Sequence, residues 1–83
     1  MALFMDVHSL GGPVELGDVE NAHVADLKTQ DRYGVTYQRY WVDEAAGKIF
    51  CLVEAPDAEA AASVHREAHG LVADEIFPVR EGS

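Results

Sequence analysis

Two runs, VTYQRYWV (Val35–Val42) and KIFCLVE (Lys48–Glu54), are rich in β-branched and aromatic residues and are separated only by DEAAG (Asp43–Gly47). Runs of that kind joined by a short glycine-containing loop make a β-hairpin. Working outward, the segment before it carries Leu16, Val19 and Leu27 at helical spacing. That segment ends at Gly34, so a helix is predicted over Leu16–Tyr33. After the hairpin, Pro56 and Asp57 open an alanine-rich segment running to His69 and stopping at Gly70, with Asp57 as the expected N-cap. At the ends lie the apolar run Ala2–His8, closed by the breaker Gly11-Gly12-Pro13, and a last strand over about Asp74–Val79. Pro78 assigns that strand to a sheet edge, because proline cannot donate to a central ladder.

The resulting order, β-α-β-β-α-β, is that of the ferredoxin-like unit. The expected architecture is α+β, with one antiparallel sheet of order 4-1-3-2 and two helices on a single face. Residues 1–83 are expected to form one domain, with residues 80–83 as a frayed tail. The first and third strands carry apolar residues at both parities, Leu3, Met5 and Val7 with Phe4, and Phe50 and Leu52 with Ile49, Cys51 and Val53. Two helices cover one side only. A second copy is the economical cover for the other, giving a homodimer packed through its sheet face in a barrel-like α+β assembly.

The formal net charge is −9, from 15 acidic against 6 basic residues. A phosphate backbone or an acidic bilayer surface would be repelled, so neither nucleic acid nor membrane is an expected partner. A lone cysteine, Cys51, precludes an intramolecular disulfide, no targeting segment is evident, and a cytoplasmic location is expected.

Function is carried by the histidines. His23 lies at the centre of the stripe Leu16, Val19, His23, Leu27, Gln30, and His65 and His69 share a stripe with Ala58, Ala61, Ala62 and Ala68. Asp6 and His8, two apart on the first strand, share a face. His23 falls roughly 10 Å below the upper start of its helix and His65 about 7 Å below the upper end of its own. Asp6 falls about 6 to 7 Å below His8. Asp6, His8, His23, His65 and His69 can therefore line one pocket between helices and sheet, provided Asp6 and His8 face the helices.

Two chemistries use such a set. His65 and His69, an i,i+4 pair, can reach one divalent ion, with Asp6, His8 and His23 as further ligands; imidazole with carboxylate suits nickel, zinc or copper. Alternatively Asp6, His23 and His65 act as general acid and base on a small organic substrate, as in an isomerase, a cyclase or a cofactor-free oxygenase. Each histidine also has a plainer reading as core filling with one hydrogen bond met. Tyr37, Tyr40 and Trp41 read more simply as packing, Arg39 as a salt-bridge partner, Cys51 as buried core and Asp43-Glu44 as a solvated turn.

Over essentially the whole chain, FMDVH (Phe4–His8), YGVTY (Tyr33–Tyr37), YWVDE (Tyr40–Glu44), FCLVEAPD (Phe50–Asp57) and above all VHREAHG (Val64–Gly70) resemble a known family. The chain is similar to the small actinobacterial-type nickel-binding proteins of ferredoxin-like fold, most of which carry only a domain-of-unknown-function label. The resemblance implies a homodimer that binds several nickel ions, with a part in nickel sequestration or detoxification.

Overall fold

Several of the strands and helices begin or end where local chemistry dictates. The computed structural model describes residues 2–82, as β1 (Ala2–Ser9), α1 (Leu16–Thr29), a 3-10 turn (Gln30–Tyr33), β2 (Thr36–Asp43), β3 (Lys48–Ala55), α2 (Ala58–Ala68) and β4 (Glu75–Pro78). Asp57 caps α2 by accepting the Ala60 N–H at 2.8 Å. The predicted first helix tightens into the 3-10 turn after Thr29, and the chain then reverses at Gly34, whose φ of 67° is left-handed. Val35 follows, its N–H donating to the Gln30 carbonyl, and β2 starts one residue later.

The strands form one antiparallel sheet in the order β2-β3-β1-β4, which is 4-1-3-2 counted from the other edge. β4 is shorter than predicted by one residue at each end and lies at the edge, where Pro78 opposite Phe4 leaves no central ladder bond unmade. Arg80, Glu81 and Gly82 are exposed and outside helix or strand; Ser83 of the predicted tail lies outside the described residues.

Pleat parity divides the sheet. Phe4, Asp6 and His8 of β1, Tyr37 of β2, and Ile49, Cys51, Val53 and Ala55 of β3 are buried under the helices, where Val19, Ala61 and Val64 complete the core. A register shift between Tyr37 and Arg39 changes the phase of β2, so that Tyr40 and Val42 also pack on this core. The other face carries Leu3, Met5, Val7, Phe50 and Leu52, all half-buried, with Trp41 and Phe77 more open.

Three expectations are corrected. Leu16 and Leu27 are exposed, and α1 buries Val19 and Asp26 instead. The inward stripe is rotated because Asp26 finds imidazole partners at His65 and His69, described below. Asp43-Glu44 is more than a solvated turn: Glu44 accepts the Leu16 N–H at 2.9 Å through its Oε1 and the Val14 N–H through its carbonyl. It thereby caps α1, which lacks a side-chain cap of its own at Glu15. Gly47 closes this junction, since at φ 69° a Cβ there would land on the Gly12 carbonyl oxygen. Arg39 forms no salt bridge among the described residues.

Candidate metal centre

Beneath α1 and α2 the buried polar side chains meet in one chain of contacts centred on His65. β1 supplies Asp6 and His8 from one pleat face, α1 supplies Asp26, and α2 supplies His65 with His69 a turn later. His65 Nδ1 lies 2.8 Å from Asp26 Oδ1 and its Nε2 lies 2.9 Å from Asp6 Oδ2. A ring nitrogen must carry a proton to donate to a carboxylate, so contact at both nitrogens requires the imidazolium. Burial alone would push His65 down, but the Asp26 and Asp6 carboxylates lift it to about 9.

The carboxylates respond in kind. Burial alone would raise Asp6; its contacts with His65 and then His8 outweigh that and hold it well below the usual carboxylate range. Asp26 is likewise lowered against burial by His65 and His69. His69 accepts the Leu71 N–H at Nδ1, and its Nε2 lies 3.1 Å from Asp26 Oδ1. On the far side, the Tyr37 hydroxyl donates to Asp6 Oδ2 at 2.9 Å and also lies 3.1 Å from the Ala61 carbonyl. Burial first, and then the Asp6 charge, push this phenol up and keep it a donor.

One atom is left over. Asp6 is 1% exposed, yet its Oδ1 has no hydrogen-bond partner; His8 Nε2 stands 3.3 Å away but is too poorly aligned to bond. The ligand atoms of Asp6, His8, Cys51 and His65 all lie within 4.8 Å of one another, as do those of Asp26, His65 and His69. Beside them is a cavity of about 30 Å³ lined by His8, His23, Asp26, Cys51, His65 and His69, among others. That is space for one or two water molecules or a single ion.

The donor set of two imidazoles, a thiol and a carboxylate with an unmet oxygen fits a transition-metal ion better than a hard cation. The family described as nickel responsive protein SCO4226-like matches residues 4–79. The chain belongs to this family. A solved structure titled as the crystal structure analysis of SCO4226 from Streptomyces coelicolor A3(2) is 40% identical, with a TM-score of 0.91 over 99% of this chain and 100% of that one. No curated protein matches. Among the described residues of this SCO4226-like chain, no helix is long and apolar enough to cross a membrane.

Of the residues singled out from sequence, Asp6, His8, His65 and His69 come together on the helix side. His23 does not join them: it packs against Tyr40 with ring centroids 4.7 Å apart and lines the cavity from one side. Asp26 was missed, although it stands three residues after His23 and seven after Val19, on the inward stripe. From sequence Tyr37 reads as packing and Cys51 as buried core. The parity that buries them was legible, but their polar atoms were not assigned a partner.

Proposed function

We propose that this chain binds a divalent transition-metal ion, nickel first, at the cluster around His65, and serves nickel sequestration or detoxification. Asp6, His8 and His65 are the inner ligands, and Asp26 and His69 receive the ion from the cavity side. His23, beside Tyr40, is an outer residue of the same cavity. The reading is carried by the unpartnered Asp6 Oδ1, a buried acceptor aimed among further donors. An unmet buried acceptor costs about 1 to 3 kcal/mol or more, and a cation bound there removes that cost. The family's description as nickel responsive selects nickel from the metals such a set accepts.

Cavity size weighs against the enzyme reading. Sites for small organic molecules run to roughly 300 to 1,000 Å³. A space of about 30 Å³ admits no such substrate beside Asp6, His23 and His65.

The test is metal content by mass spectrometry on protein purified without an affinity tag, followed by nickel calorimetry. His8→Ala and the pair His65→Ala with His69→Ala should each weaken nickel binding by about tenfold or more. Unchanged affinity and stoichiometry in both would move the site elsewhere.

The same proposal includes a ferredoxin-like homodimer joined through the open sheet face. Leu3, Met5, Val7, Phe50, Leu52, Trp41 and Phe77 form an apolar surface that no helix or strand among the described residues covers. Light scattering at micromolar concentration should give twice the 9.0 kDa chain mass, and Trp41→Glu with Leu52→Glu should return the monomer. A wild-type chain that runs as a monomer overturns the dimer without touching the metal reading.

A further inference from the structure

We propose that Cys51 ligates the ion as a thiolate, completing a buried donor set of one sulfur, one carboxylate oxygen and two imidazole nitrogens with Asp6, His8 and His65. This rests on the metal-binding reading above and names the ligand that the sequence assigned to the core.

Placement argues first. Cys51 stands directly opposite Asp6 in the β1–β3 register, so the two side chains leave the sheet side by side on the helix face. His8 is the next residue of β1 on that face, and His65 reaches down from α2. Cys51 is 7% exposed, and its sulfur belongs to the set of ligand atoms within 4.8 Å of one another. Zinc-type metal–ligand bonds are about 2.0 to 2.3 Å long, so small side-chain shifts bring such a set onto one ion.

The second, independent observation is Asp6. Its Oδ2 is engaged by His65 and Tyr37, while Oδ1 has no hydrogen-bond partner. A third is the cavity, which both Cys51 and His8 line. A core cysteine that served packing alone would need neither an unmet carboxylate oxygen across the ladder nor a cavity shared with His8, His65 and His69 beside it.

In the metal-free chain the thiol is neutral, because burial and then the Asp6 charge push its ionisation up. A bound divalent ion reverses that preference, since a coordinating thiol is deprotonated outright. Binding forms the metal–sulfur bond and sends the Cys51 proton to solvent, and metal–nitrogen bonding at His65 sends its Nε2 proton after it. Two positive charges enter as two leave, so the burial of the ion adds no net charge to Asp6, His65 and Cys51. A soft sulfur ligand also sets the metal class: nickel, cobalt, zinc or copper enter, while magnesium and calcium do not compete.

The experiment titrates tag-free wild type, Cys51→Ser and Cys51→Ala with cobalt(II) and nickel(II), following near-ultraviolet absorption, with far-ultraviolet dichroism to verify folding. Wild type should develop a sulfur-to-metal charge-transfer band at one equivalent of the inner site, and both variants should lack it. X-ray absorption at the nickel edge of loaded wild type needs no variant, and should find a sulfur in the coordination shell. Metal bound with nitrogen and oxygen neighbours only, or a band that persists in folded Cys51→Ala, overturns the assignment of Cys51 and leaves the metal reading standing. Wild type that takes up neither metal overturns both.

Discussion

Asp6→Ala is expected to destabilise the metal-free chain by about 3 to 5 kcal/mol, the usual effect of removing one partner from a buried ion pair. Asp6 is 1% exposed and touches His65, Tyr37 and His8 at once. Without it the His65 imidazolium keeps Asp26 but loses the acceptor at Nε2. Small domains have about 5 to 15 kcal/mol in total, so a large share of the stability goes with one side chain. Urea denaturation followed by circular dichroism should show the midpoint falling with little change in slope. The exposed pair Arg32–Glu67, though 2.7 Å long, is the proper contrast. Solvent screens it, and Glu67→Ala should lose no more than about 1 kcal/mol. Equal losses in the two variants would mean that the buried cluster does not hold the fold.

That contrast also explains how much the sequence could reveal. Asp57, Gly34, Gly70 and Pro78 act within their own turns, so helix starts, helix stops and the edge strand were legible from neighbours alone. Alternation placed Asp6 and His8 on one face, and a period of 3.6 placed His65 beside His69. Asp26 was not legible in this way. A carboxylate on a helix reads as solvent-facing unless a partner lies opposite, and its imidazole partners arrive 39 and 43 positions later in the chain. Leu16 and Leu27 point outward for the same reason, because burial of Asp26 against His65 decides the rotation of α1. Glu44 caps α1 across 28 residues, a contact that no local pattern encodes. His23 lines the cavity from the margin of the inward face of α1, but the unmet polar chemistry lies deeper, and Tyr40 packs against its ring.

Raising the pH should loosen the metal-free chain and tighten its hold on nickel over the same interval. His65 sits at an ordinary 6.5 when unfolded and about 9 when folded, so the folded state binds its proton more tightly. Its contribution is fully present below pH 6.5 and is lost as the pH rises through 9, amounting to about 3 kcal/mol at about 1.4 kcal/mol per unit. Asp6 and Asp26, both lowered from an ordinary 3.8, act with the opposite sign: their contribution is present above that value and is lost on acidification. Stability should therefore be greatest between about pH 4 and 6.5, and urea midpoints measured from pH 6 to 8.5 should fall steadily. Stopping there keeps Cys51 out of the comparison, since an unfolded thiol ionises at an ordinary 9.0. The proton that holds Asp6 and Asp26 together is also the competitor that an incoming ion must displace. Nickel affinity should rise through the interval in which the apo-protein weakens, and the loaded protein should show a flatter stability profile than the metal-free one. A metal-free midpoint that does not move between pH 6 and 8.5 would mean that His65 is not the shared imidazolium, and the stability and affinity profiles would then lose their common origin.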